Sequence, residues 1–507
     1  MRRSIIVMIL ILPVLLYAQI HETLPSWHWA YEYIDRIQDL GYGMQLPLIN
    51  RPYTRGQAAE VIAALQQNPE AVEKAGRWIG RLADEFRPEI AALTGQDFER
   101  EAFQVGTHLI ADMDNNGDET KYRGIYRTRI SVPIGRHVHV YNGINFDQYL
   151  VDDPLYVGKK WRGIVGYTEQ AYISGEWGRF QLKFGRDFLR WGAGRSGTLL
   201  FSDLARPLDQ FTFRVSVGPF RYHYLVSSMD DMNVEEGTAQ RYVSAHRVEG
   251  SFWQGCLQVA VSEAIVYGGV NRDLDWVYLN PFIFYHGAQL NKSGLGNTLG
   301  TIDIIGYPMQ TWQLYGSLLL DDIQIEKTGP GDLEPGEIGF IVGTRYADLF
   351  PGSAVDAEYV HVTNRTYKTP NSWETFIHRN APLGHPLGND FDRWQVGLSQ
   401  WVGASFRGRV EYSQTRMGEG SIYTPFDTPW FDYTVEEGYS EPFPTGIVEK
   451  RSAVKIEVRY QPSIHWGLHG FFQSMKRCNA YHVEGVSRTD AIWRIGFWWD
   501  GEVGIKL

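Results

Sequence analysis

Seven charged side chains surround one tryptophan between residues 186 and 209: Arg186, Asp187, Arg190, Arg195, Asp203, Arg206 and Asp209 beside Trp191. A guanidinium group makes planar two-point contacts with carboxylates, and an indole face suits the C–H surface of a sugar. Arg186, Arg190, Trp191, Arg195, Asp203 and Arg206 therefore form one candidate glycan-binding set. The same charges can instead pair among themselves as a structural plug, because they are costly wherever hydrocarbon is the neighbour. Both readings stand at this point. A second set lies in residues 417–449, where Tyr423, Trp430, Phe431, Tyr433 and Tyr439 alternate with Glu419, Asp427, Asp432, Glu436, Glu437 and Glu441. Aromatic rings among carboxylates can hold neutral glycans or cations, or can pack a loop and anchor it at a lipid interface. Trp161 and Trp373 are lesser candidates of the same kind.

Other constellations carry less. Asp112, Asp114, Asn116 and Gly117 open like a calcium loop, but Arg123 stands where the bidentate acid belongs, so a hairpin loop is the better reading. His137, His139, His465 and His469 are spaced to alternate into an interior, where solvated histidines are the ordinary case. No nucleophile elbow, zinc-protease helix, phosphate loop or paired-cysteine motif is present. No cofactor, metal or catalytic residue is expected, and the protein reads as a non-enzyme. A net charge of -11 supplies no basic footprint for nucleic acid.

The elements that must position these residues announce themselves by period. Met1, Arg2 and Arg3 precede an apolar run from Ile5 to Leu16, and Ala18 offers a cleavage position before Gln19. This run is too short to span a bilayer and reads as a signal peptide, residues 1–18. A helical periplasmic module is expected over 19–98. Trp27, Tyr31, Ile34, Ile37 and Leu40 keep helical spacing up to Gly41. Thr54 and Gln57 read as a capping box before Ala58, Val61, Ile62 and Leu65, and a third helix is expected from Pro69 to Leu93.

From Phe103 the period changes to two. Tyr122, Tyr126, Ile130 and Val132 oppose Arg123, Arg127 and Arg129; Val454, Ile456, Val458 and Tyr460 oppose Lys455, Glu457 and Arg459. Tight turns at Gly135, Gly178, Gly218, Gly255, Pro308, Gly352, Gly403, Pro462 and Gly501 alternate with long irregular connections. That alternation is the mark of a membrane barrel with short periplasmic turns and long outer loops. The fold expected over 99–507 is a transmembrane antiparallel β-barrel of about 18 strands, with 17 Trp and 29 Tyr to supply its girdles. Phe497, Trp498 and Trp499 supply a terminal aromatic signal. Cys256 falls by a periplasmic turn and Cys478 in an outer loop, too far apart for a disulfide.

Two resemblances add to this. Trp27, Tyr31, Ile34, Leu40 and Gly41, with Arg51, Pro52, Tyr53, Thr54 and Arg55, resemble an S-layer homology unit. That likeness implies contact with cell-wall material or with the barrel mouth. Residues 184–213 are similar to the hallmark segment of the capsule assembly Wzi family, G-R-D-x-x-R-W-G followed by G-x-S-G-x-L-x-x-S and A-R-P-x-D. The matching positions run from Gly185, Arg186, Asp187, Arg190, Trp191 and Gly192 through Gly194, Ser196, Gly197, Leu199 and Ser202 to Ala205, Arg206, Pro207 and Asp209. This resemblance implies an 18-stranded outer-membrane barrel with a closed lumen that retains exported surface polysaccharide in a lectin-like way. Its expected partners are that polysaccharide, outer-membrane lipid, and a cell-wall or periplasmic partner through the helical module. The rival readings are a porin or carbohydrate channel, a membrane-embedded enzyme acting on glycan or lipid, and an interaction module.

Overall fold

The computed structural model describes residues 20–95, 103–117, 119–291, 296–324 and 328–505, so the expected signal peptide lies outside the described residues. Eighteen strands follow one another in chain order. They are β1 (Phe103–Asn115), β2 (Thr120–Ile134), β3 (Val138–Asp147), β4 (Val165–Trp177), β5 (Phe180–Asp187), β6 (Leu208–Val217), β7 (Phe220–Ser228), β8 (Gly237–Phe252) and β9 (Leu257–Val270). Then come β10 (Asn297–Met309), β11 (Trp312–Leu320), β12 (Ile338–Ala347), β13 (Ser353–Val362), β14 (Phe391–Val402), β15 (Phe406–Met417), β16 (Glu449–Tyr460), β17 (Trp466–Cys478) and β18 (Ser487–Ile505). Each pairs antiparallel with the next, and β18 returns to β1 with Phe103 opposite Ile505 and Asn115 opposite Trp493. The sheet is thereby closed and has no free edge. A short strand, Met232–Val234, only extends the hairpin onto β8.

Alternation along the strands separates two solvents. On β2, Tyr122, Tyr126, Ile130 and Ile134 point outward and are exposed, while Arg123 and Arg127 turn inward to Asp114 and Glu169. Trp177, Phe180, Phe220, Trp253, Phe350, Trp466 and Trp499 ring the mouth that carries the short turns, as an interfacial girdle does. The opposite mouth carries the long connections 148–164, 188–207, 271–296, 321–337, 363–390 and 418–448.

Three details depart from expectation. Asp500 and Gly501 form no turn: β18 runs on to Ile505, with Gly501 opposite Thr107 and Asp500 facing inward to His108 at 3.3 Å. Pro308 sits at a register shift inside the β10–β11 hairpin rather than at its tip, a place where a strand tolerates a residue without N–H. The expected third helix is two. With α1 (Ala30–Asp39) and α2 (Arg55–Gln66) in front, α3 (Pro69–Glu85) ends at Phe86 and α4 (Arg87–Thr94) begins anew, because Pro88 cannot continue the hydrogen-bond ladder. The capping box forms, with Gln57 N–H on Thr54 Oγ1 at 3.1 Å and Thr54 N–H on Gln57 Oε1 at 3.0 Å.

These helices pack against the mouth that carries the short turns. Trp29, Tyr33, Ile37, Ile62, Trp78 and Leu82 share one core with Trp401 and Trp498 of the barrel. Arg81 donates to the Pro462 carbonyl at 2.7 Å, Arg36 to the Ser353 carbonyl at 3.1 Å, and Arg345 makes two bonds of 2.6 Å to Asp39. Of the two placements that the S-layer likeness implied, the barrel mouth is the one seen.

Candidate functional site

The segment 188–207 leaves β5, enters the lumen and meets the helical module there. Asn50 and Arg51 pair as a two-residue antiparallel bridge with Trp191 and Arg190, and Gly192 N–H donates to the Ile49 carbonyl at 3.0 Å. Around this seam Leu48, Ile49, Trp191, Leu199, Leu200 and Phe201 pack against Val243, Ala245, Ala260, Leu299 and Ile341 of the wall and Tyr367, Phe376 and Leu383 of an outer loop. This side of the lumen is a solid apolar core. Gly194 lets the chain turn tightly inside it: its φ is +137°, and a Cβ there would fall 2.1 Å from the Gly197 carbonyl oxygen.

The segment's charges are spoken for. Arg186 grips Asp209 through bonds of 2.8 and 2.6 Å, Arg206 pairs with Asp153, and Arg190 stands 3.8 Å from Asp203. Asp187, fully buried, accepts from Lys183, Gln170 and Thr23. Glu358 receives the backbone N–H of Arg195 at 2.6 Å and both the N–H and hydroxyl of Ser196 at 3.0 and 2.5 Å.

Of the candidates, Arg190, Arg195 and Asp203 converge, with Asp35 and Arg51 of the module and Tyr315 of the wall, on a lumenal cavity of about 270 Å³. Arg186 and Arg206 stand apart near the outer rim. Trp191 is only 2% exposed, edge-on to Phe201 at 5.4 Å and under Arg247 at 5.9 Å, so its faces are already taken. Packing of this kind is what a plug requires of Trp191, while Arg190, Arg195 and Asp203 remain on the cavity wall.

A second, larger opening lies at the outer mouth. Asp321, Asp322, Glu334, Glu337, Lys368, Phe426, Trp430 and Phe431 line a cleft of about 640 Å³ between the loops 321–337, 363–390 and 418–448. Trp430 is its floor: it is 2% exposed, with the Arg365 guanidinium 4.7 Å from the ring and Phe426 edge-on at 6.0 Å. Arg365 is held in turn by Asp427 and Glu441. Phe431 and Tyr433 offer exposed faces beside it. Trp373 is separate, its carbonyl accepting from Arg241 Nε at 2.8 Å, and Trp161 is an exposed loop residue under Arg162.

The four cleft carboxylates were not among the expected site residues. Their signal was available: Asp321 and Asp322 directly follow one strand, Glu334 and Glu337 precede the next, and a hairpin must bring the two ends of its loop together. Among the described residues no group of three or more His, Cys, Asp or Glu is arranged to hold a metal ion. Asp112 and Asp114 lie inside β1 rather than in a calcium loop, facing His469 and Arg123. The four histidines do not gather: His139 and His469 face the lumen on different strands, while His137 and His465 lie in periplasmic turns just before their strands begin. Cys256 and Cys478 are both free.

A family model described as capsule assembly protein Wzi matches residues 63–491. The chain belongs to the Wzi capsule assembly family. A solved structure titled as Wzi, an outer-membrane protein involved in group 1 capsule assembly in Escherichia coli and a carbohydrate-binding β-barrel, aligns with TM-score 0.61 at 15% identity. That alignment covers 93% of this chain and 98% of the other. OpdK from Pseudomonas aeruginosa aligns with TM-score 0.47 at 11% identity over 79% of this chain and 99% of its own. A BenF-like porin from Pseudomonas fluorescens Pf-5 gives 0.46 at 10% identity over 80% and 100%. No curated protein matches the sequence. The Wzi-family chain is an outer-membrane β-barrel.

Its outer cleft gathers carboxyl groups that hold their protons above the usual carboxylate range. Burial first, and the charge of Asp322 second, push Glu334 up to about 7, and burial also raises Asp321 and Glu337. The folded loop thus keeps a proton that the unfolded chain releases near pH 4.3. This contribution to stability is complete below that value and is lost as the pH rises through about 7. Hydrogen exchange across residues 328–337, corrected for intrinsic rates, should therefore be faster at pH 8 than at pH 5. Glu334→Gln should shrink the difference; equal protection at both pH values in the unmodified protein would contradict the assignment.

Proposed function

We propose that this barrel binds exported capsular or exo-polysaccharide at the cell surface without transporting or cleaving it, and that the outer cleft is where the glycan sits. In this reading residues 1–18 direct export, the module over 19–98 closes the periplasmic mouth, and 99–507 form the barrel. The observation that carries it is the pairing of an open, aromatic and carboxylate-lined cleft with a lumen occupied on one side beneath it by segment 188–207. Family membership and the Escherichia coli relative, a carbohydrate-binding β-barrel, point the same way. Exposed ring faces cover sugar C–H surfaces and carboxylates accept from hydroxyls, while Lys368, buried and bound to the Ser421 and Pro425 carbonyls and the Thr424 hydroxyl, fixes the loop that shapes the cleft.

Arg190, Arg195 and Asp203 would serve from below, shaping the seam, and Trp430 would hold up the cleft floor. Phe431→Ala combined with Glu334→Gln should weaken binding to the cognate polysaccharide about tenfold, which corresponds to about 1.4 kcal/mol. Glycan-array binding and cell-surface polysaccharide retention read the loss, while heat-modifiable migration reports an intact barrel. Full binding by the double variant would move the site out of the cleft. The channel reading requires steady conductance in planar bilayers from the complete protein.

A further inference from the structure

The connection between β9 and β10 does not stand above the barrel mouth. It comes down the outside of the wall. On β8, Arg247 and Glu249 point into the lumen, towards Asp303 and Asn50, so Tyr242, Ser244, His246 and Val248 point to the membrane. On β9, Ala260, Ala264 and Val266 belong to the lumenal core, which turns Val261, Glu263, Ile265 and Tyr267 outward. On β7, His223 and Leu225 face the lumen, and Tyr222 and Tyr224 face out. Tyr222, Tyr224, Tyr267 and Glu263 are covered by residues 271–291. Tyr278 packs on Tyr267 at 4.8 Å, Tyr224 donates to the Leu279 carbonyl at 2.9 Å, and Tyr222 donates to the Pro281 carbonyl with Phe282 stacked 5.4 Å from its ring. Tyr222 is two residues from the periplasmic end of β7, so the descent crosses most of the wall.

A short helix, α5 (Tyr285–Leu290), then lies over β8–β10. The backbone N–H groups of Tyr285 and His286 each reach the Glu263 carboxylate at 2.8 Å, and His246 meets it at 3.1 Å. A bare carboxylate on a barrel's lipid face is destabilising; this one is satisfied and covered. The chain that covers it is made for the same surroundings. Residues 276–291 include no Asp, Glu, Lys or Arg, whereas Arg272, Asp273 and Asp275 stand just before them at the rim. The face turned away from the wall is largely apolar, with Asn280 as its polar interruption before α5: Trp276 is 85% exposed and Phe282 79%, with Phe284 beside them. It continues the apolar surface of Val248, Val261 and Ile302.

We propose that residues 271–291 form a strap embedded in the outer membrane, and that Phe282 and Phe284 contact lipid acyl chains while Trp276 sits at the outer headgroup level and the end of α5 returns to the rim, where His286 and Leu290 line the outer cleft. Lipid is the occupant because the strap's apolar edge is continuous with the wall's own lipid-facing surface and lies at the same depth. Its partner in cohesion is Glu263, which ties the strap to the wall from beneath.

The test is nitroxide labelling of Phe282→Cys in the full-length protein with Cys256→Ser and Cys478→Ser, reconstituted in phospholipid vesicles. Val261→Cys serves as the lipid-facing control and Glu436→Cys as the outer-loop control. The proposal expects Phe282→Cys to match Val261→Cys, with high collision rates with oxygen and low rates with a water-soluble nickel chelate. Adding Glu263→Ala should shift the Phe282 label towards the loop control. A Phe282 label that is as open to the nickel chelate as Glu436→Cys overturns the proposal. So does a short label-to-label distance showing that a second copy covers the strap.

Discussion

Replacing Trp191 with alanine should lower the unfolding free energy of the barrel by about 3–5 kcal/mol, the usual cost of emptying a packed indole site. The ring is enclosed by Phe201, His223 and Arg247, and its backbone forms the seam with Asn50. Deleting it opens a void where the outer plug and the periplasmic module join, and neither side can collapse into it without breaking that pairing. Trp191→Phe keeps an aromatic ring against Phe201 and should lose far less. Urea unfolding of the protein in detergent micelles, followed by the loss of the compact band on gels, measures both variants. The competing expectation treats Trp191 as a sugar platform. It predicts a normal unfolding curve with impaired polysaccharide retention, and that result would remove Trp191 from the plug.

How much of this was readable beforehand depended on what each residue faces. Lipid on one side and water on the other enforce a strict period of two, so the strands carrying Tyr122 and Val454 were evident from side-chain type alone. Gly501 misled because a glycine inside a strand looks like one in a turn; only its ladder partner, Thr107, distinguishes them. The charges of 186–209 showed that the segment could not face hydrocarbon, yet pairing and ligand binding ask for the same residue types. Burial of Trp191 favours pairing and packing at that one residue, and burial is a property of the packed lumen. The strap was the hardest to see, because the length of an outer loop does not reveal on which side of the wall it lies. Its uncharged run from Trp276 to Asn291 was the available clue, and Glu263 among outward-facing residues was its counterpart.

Arg345→Met should release the helical module and make the barrel conduct. Arg345 binds Asp39 through two bonds of 2.6 Å and Asp356 through one of 2.8 Å, all buried at the periplasmic mouth. Asp356 keeps two bonds to Arg409 in the variant, but Asp39 is left with Arg195 at 3.6 Å. Removing one partner of a buried pair costs about 3–5 kcal/mol, because the remaining charge stays desolvated. The mouth that this contact helps to close lies under a polar part of the lumen. There Lys455, Glu457, Arg459 and Arg494 are half-exposed, and Glu32 of α1 spans towards Arg459 at 2.9 Å and Arg407 at 3.5 Å. When α1 tilts away those charges face a continuous aqueous path. Planar-bilayer recordings should then show frequent openings that the unmodified protein lacks. Asp39→Leu added to Arg345→Met removes the orphaned carboxylate and should restore most of the stability and the closed state. A destabilised but non-conducting single variant would assign closure to the 188–207 plug alone. Failure of the second substitution to rescue would show that the Arg345 and Asp39 charges do more than satisfy each other.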